Sequence, residues 1–232
     1  MADALSAMLS IVRARLNDSR REWLDAALAA ARDQDVNRLC AAYTAAWRKA
    51  GPTPLSVTSV ERATLSAVAP DLTCERWTLA DATRAAIILA AAEATDINSF
   101  ATRAVACFEN GDAGEQQSWL RSVILLPRSD RFTSVAVDAC RSHIQPLFES
   151  IACENPYPST YFSDRQFNQI VLKALFTGVQ LERIVGLARR LNADLSRMAR
   201  DYAEERRAAG RSVPADLALA LHDAPELEGH LS

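Results

Sequence analysis

A chain of 232 residues carrying 26 basic and 29 acidic side chains, net charge −3, is long enough to bury a sizeable core. Apolar residues make up 49% and charged residues 24%, which excludes a disordered or collagen-like polymer. Only 7 glycines stand against 43 alanines, so helices are expected rather than hairpins or glycine-rich phosphate loops.

Helical periodicity runs through the chain in order. Leu5, Met8, Leu9, Val12 and Leu16 form one apolar stripe at three- and four-residue steps. Ser19 and Glu22 have capping-box spacing and predict the start of a second helix. Asp35 caps a third, with Val36, Leu39, Cys40, Tyr43 and Trp47 on one face and Gly51-Pro52 as its stop. Thr58 and Glu61 open the next, which ends at Pro70. Thr78 and Asp81 open a helix reaching about Glu93. Its stretch Ala85–Ala92 is uncharged on every side, so it is expected at the centre of the core.

Asp96 starts a helix that ends at Asn110-Gly111, and Asp112 with Glu115 caps one stopped by Pro127. Asp130 is expected to cap a stripe of Phe132, Val135, Ala136, Ala139, Cys140 and His143, and Pro146 fits a first helical turn. The string Asn155-Pro-Tyr-Pro-Ser-Thr-Tyr-Phe162 is expected to be non-helical, because its two prolines remove donors and favour extended neighbours. Ser163 and Gln166 cap a helix ending at Gly178. A short apolar turn follows near 181–185. Asn192 caps a long helix ending at Gly210, Pro214 opens a short last helix, and 223–232 read as a loose acidic tail. The expected fold is all-α: eleven or twelve short antiparallel helices in a single domain over 1–232, as a helical bundle or HEAT-like stacked helix pairs.

No uncharged run approaches the roughly 20 residues of a membrane-spanning helix. The start carries Asp3 and no basic leader, and five scattered cysteines without C-x-x-C spacing fit a reducing compartment. A cytoplasmic protein that is not an integral membrane protein is therefore expected. The first four cysteines fall 34, 33 and 33 residues apart, but their surroundings do not match, which argues against a true repeat.

Three histidines in no metal-ligand spacing leave no expected metal or cofactor site. Cys140 and His143, one turn apart, have the minimal spacing of a nucleophile and base, yet they share an apolar stripe that reads more simply as core. Eight arginines between 182 and 211 stand against five acids. With few aromatics among them, nucleic-acid binding is not expected. The proline-stiffened string offers Tyr157, Tyr161 and Phe162 either as core filling or as the wall of a pocket. Arg165, Gln169 and Lys173, with Asn168 at the flank, form either a solvated row or the polar side of that pocket.

The segments Ala152–Phe162, Gln166–Leu187 and Arg197–Arg211 resemble the EboA family of metabolite-traffic proteins. The likeness is closest over 111–211 and extends over 1–110 only in helical character. Ser163 stands where the family commonly has proline after the tyrosine-phenylalanine pair, and His143 where it commonly has asparagine. The resemblance implies an all-α accessory protein from a bacterial secondary-metabolite gene cluster, with no transferable catalytic residue. Its expected partners are a small metabolite, isoprenoid or aromatic, or proteins of the same cluster, a UbiA-like prenyltransferase among them, or both, in traffic towards the periplasm. Asn155, Tyr157, Tyr161, Phe162, Asn168, Lys173 and His143 are the expected ligand contacts. The alternatives are a helical enzyme acting on such a substrate and a scaffold for the pathway's enzymes.

Overall fold

In the computed structural model, which describes residues 3–222, the regular elements are helices; one isolated bridge joins Pro54 to Thr78. The tail expected at 223–232 lies outside the described residues. The α-helices are α1 (Ala4–Arg13), α2 (Asp18–Arg32), α3 (Val36–Ala50), α4 (Ser59–Val68), α5 (Leu79–Ala92), α6 (Ile97–Glu109), α7 (Ala113–Ser122), α8 (Thr133–Cys140), α9 (Gln145–Ala152), α10 (Tyr157–Tyr161), α11 (Asp164–Thr177) and α12 (Ala193–Ala208). Short 3-10 turns occupy Val123–Leu125, Ser129–Phe132, Leu181–Arg183, Leu187–Arg190 and Ala215–Ala220. The chain divides after Tyr157 into two compact units.

The first unit is built around α5. Its alanines leave little bulk outside the backbone, so α1, α2, α3 and α7 all pack against it, and every residue from Leu79 to Ala91 is buried. Ile87, Ile88 and Leu89 each add on the order of 2 kcal/mol of apolar burial. Beside α5, Trp119 meets the Phe132 ring edge-on at 5.4 Å and donates its indole N–H to the Ala104 carbonyl at 2.8 Å. In the second unit, Phe167, Ile170, Val171 and Ala174 of α11 and Leu195, Ala199 and Tyr202 of α12 form the buried faces. The Tyr202 hydroxyl donates to the Leu175 carbonyl at 3.2 Å.

Most helix starts lie where the capping residues place them, with reciprocal capping boxes at Thr58/Glu61, Thr78/Asp81, Asp112/Glu115 and Ser163/Gln166. Three expectations are corrected. The α2 cap is Asn17, whose side chain accepts from the Arg20 amide, because a capping turn two residues earlier takes precedence over Ser19. Asp130 caps nothing: Arg128 holds its carboxylate through two 3.0 Å bonds, and α8 starts from Phe132 with no side-chain cap. The string after Asn155 is helical over Tyr157–Tyr161. Pro158 falls in the first turn, where a missing N–H costs nothing, and the Asn155 side chain accepts from the Tyr157 amide at 3.0 Å.

Candidate functional site

The site begins with two acidic residues that do more than cap helices. Asp81, 3% exposed, accepts from the Thr78 amide at 2.7 Å as the third residue of α5. It also takes the Ser118 hydroxyl of α7 at 2.6 Å and an Arg121 Nη at 3.0 Å. Arg84 lies one turn further along α5 and is as deeply buried. It donates to Ser118 Oγ at 3.0 Å and to the Tyr43 carbonyl at 3.2 Å, and its other Nη faces Glu115 Oε1 at 3.6 Å.

Glu115, the third residue of α7, accepts from the Asp112 amide at 3.2 Å, while its own carbonyl takes the Tyr43 hydroxyl at 2.8 Å. Burial pushes the Tyr43 phenol pKa well up, so this hydroxyl stays a donor. Gly111 makes the approach possible: a Cβ there would lie 2.8 Å from the Cys107 carbonyl oxygen and 2.9 Å from Glu115 Cβ. Two carboxylates and two guanidiniums are thus gathered inside one apolar unit. Such groups are tolerated in a core when paired and hydrogen-bonded.

Arg84 and Glu115 of this network form the floor of a groove of about 570 Å³. Thr44, Trp47 and Arg48 of α3 form one wall, and Asp112, Ala113 and Gly114 at the start of α7 form the other. Trp47 is 49% exposed, although a large aromatic gains most from burial. A concave wall with an aromatic face and a few convergent polar groups suits a small, partly apolar molecule.

Two other hollows are built differently. One of about 790 Å³ is lined by Gln34, Glu93, Asp96, Asn98, Arg103 and other mostly polar residues and lacks an aromatic wall; Nε and Nη1 of buried Arg103 have no hydrogen-bond partner among the described residues. One of about 480 Å³ lies between the end of α11 and the turn Ala215–Ala220.

The seven expected contacts fall in three places. Asn155 and Tyr157 are buried in the first unit with their polar groups engaged. Asn155 Nδ2 donates to the Leu120 carbonyl at 2.9 Å, and the Tyr157 hydroxyl donates to the Ser129 carbonyl at 2.6 Å. Tyr161, Phe162, Asn168 and Lys173 belong to the second unit. There Phe162 is buried, Asn168 and Asn192 exchange reciprocal 3.0 Å amide bonds, and Tyr161 and Lys173 are half-buried.

His143 is not on the inward stripe: α8 ends at Cys140, leaving the imidazole exposed in the turn before α9 while Cys140 is buried. That pair therefore shares no face. Spacing in the sequence does not point to the groove: Asp112 and Glu115 read as a helix cap, and Trp47 as part of the apolar face of its helix. The signal present was Arg84, a basic side chain three residues after Asp81 in an otherwise apolar helix.

An all-helical protein with a small-molecule-sized groove over a buried ionic network is the class that fold and site define. The family described as "Metabolite traffic protein EboA" matches residues 4–222, and the chain belongs to that family. The match takes in the N-terminal half as well as the segments that carry the sequence resemblance. No curated protein and no solved structure matches the chain. Among the described residues no helix is long and apolar enough to cross a membrane, and no group of three or more His, Cys, Asp or Glu side chains is placed to hold a metal ion.

Proposed function

We propose that this protein is a non-catalytic carrier or presenting protein of a bacterial secondary-metabolite pathway. It takes an isoprenoid or aromatic metabolite into the Trp47 groove and hands it, in the cytoplasm, to partner proteins of the same pathway, a UbiA-like prenyltransferase among them, for movement towards the periplasm. Membership of a metabolite-traffic family supports the general role. The observation that carries the site is Trp47, half in water within a concave wall above the buried Arg84–Glu115 pair. An apolar or planar ligand covers that indole, while Thr44 and Arg48 serve its polar end. The floor's charges are already paired with one another, which suits holding a molecule rather than moving its protons.

The test is a titration of prenylated and aromatic compounds followed by calorimetry. Binding is expected, and Trp47→Ala weakens it about tenfold, matching the roughly 1.4 kcal/mol of a lost aromatic contact, with the circular dichroism spectrum unchanged. Equal affinity in Trp47→Ala, or no binding by any compound, overturns the groove as the site. A second reading seats the ligand against Tyr161 and Lys173, the two expected contacts of the second unit that are only half-buried. Under it, Tyr161→Ala and Lys173→Ala weaken binding and Trp47→Ala does not.

A further inference from the structure

Outside the groove, α3 and α6 bring together two thiols that lie 67 residues apart in the chain. Cys40 Sγ and Cys107 Sγ are 3.7 Å apart, on helices that pack directly against each other. Cys40 is partly open to solvent, and Cys107 is 2% exposed. The other three cysteines, Cys74, Cys140 and Cys153, are buried. A disulfide holds its sulfurs about 2 Å apart, so closure asks for less than 2 Å of sulfur movement, within reach of side-chain rotation and a small backbone shift.

We propose that Cys40 and Cys107 form a peroxide-sensitive dithiol, a modification site that a hydroperoxide converts reversibly into a disulfide between α3 and α6. The Cys40 thiolate attacks the O–O bond of hydrogen peroxide. Sulfur gains the oxygen as a sulfenic acid, and the departing hydroxide is protonated to water. Cys107 sulfur then attacks Cys40 sulfur: the S–S bond forms, the S–O bond breaks, and the hydroxide leaves as water with the Cys107 proton. Two thiols are oxidised, one peroxide is reduced, and two waters are released. A dithiol reductant reverses the bond by exchange.

The order of attack follows from access, because the oxidant reaches the open sulfur first. Burial, reinforced by the neighbouring Cys40, also pushes the Cys107 thiol pKa well up, which keeps it protonated and the less reactive of the two towards peroxide. The consequence falls on α3, where Thr44 and Trp47 lie one and two turns beyond Cys40, so the bond fixes one groove wall to α6. The chemistry itself does not depend on the groove binding a metabolite.

The test treats the purified full-length chain with a small excess of hydrogen peroxide, alkylates it in denaturant, counts thiols and maps tryptic peptides. The five free thiols are expected to fall to three. Peptides 39–48 and 104–121, each with one cysteine, are expected as a linked pair that dithiothreitol separates. Cys40→Ser is expected to leave Cys107 alkylated after the same treatment, and the wild-type map stands without any variant. Five thiols remaining, Cys40 oxidised to the sulfinic acid with Cys107 still free, or linkage through any other cysteine would each overturn the proposal.

Discussion

Arg84 shows how one side chain can commit a core to a particular arrangement. Its guanidinium meets Glu115, Ser118 and the Tyr43 carbonyl and lies 5.4 Å from the centre of the Tyr43 ring. Arg84→Met keeps much of the volume but leaves the Glu115 carboxylate buried without its cation. A loss of about 3–5 kcal/mol is expected in urea denaturation followed by circular dichroism. Adding Glu115→Gln should recover part of that loss, since the stranded charge, more than the missing bond, dominates the cost. A loss below about 1 kcal/mol would mean that water reaches Glu115 and the floor of the groove is wet. Little of this network was legible in the sequence. Asp81 and Glu115 satisfy a local rule as the third residues of their helices, and that rule accounts for them without pointing further. Their second role depends on α5 and α7 coming side by side, which spacing within either helix does not encode. The string at 155–162 misled for the opposite reason: its prolines are conspicuous locally, yet one of them falls where a helix accepts it.

At the scale of elements, the ends were largely legible because a cap is local chemistry. Asp35, Thr58, Thr78, Asp96, Asp112, Ser163 and Asn192 each bond amides two or three residues away, so the sequence already holds both partners. What joins one element to another was not legible. Arg15, just past α1, grips Glu61 at the start of α4 with a two-pronged contact of 2.7 and 2.8 Å and also reaches the Ile11 and Ser56 carbonyls. The guanidinium's hydrogen bonds hold the Glu61 carboxyl down at about 2, against an ordinary value of 4.5, and the same contact raises the Arg15 pKa. A carboxyl depressed in the folded state adds stability above its unfolded pKa, and that stability is lost as pH falls towards the folded value. The window is therefore about pH 4.5 down to about 2. Solvent screening keeps the contribution near 1 kcal/mol. Glu61→Gln is expected to cost about that much at pH 7 and nearly nothing at pH 2, so thermal melts of the two proteins should converge on acidification. Parallel curves across that range would show that the ion pair does not stabilise the junction.

At the scale of the whole molecule, the division after Tyr157 gives each unit its own buried faces. The surrounded helix α5, the aromatic cluster about Trp119 and all the lining of the Trp47 groove belong to the first unit. Its last described contacts, the Asn155 amide on the Leu120 carbonyl and the Tyr157 hydroxyl on the Ser129 carbonyl, close within it. A fragment of residues 1–157 is accordingly expected to give a helical circular dichroism spectrum with a cooperative thermal transition, and to bind the groove's ligand within about threefold of the full chain. A threefold change is only about 0.65 kcal/mol, small beside the loss expected from Trp47→Ala. A fragment that folds cooperatively and fails to bind would mean that the ligand needs residues beyond Tyr157. The balance would then pass to Tyr161 and Lys173, whose substitutions in the full chain should in that case abolish binding while Trp47→Ala leaves it intact.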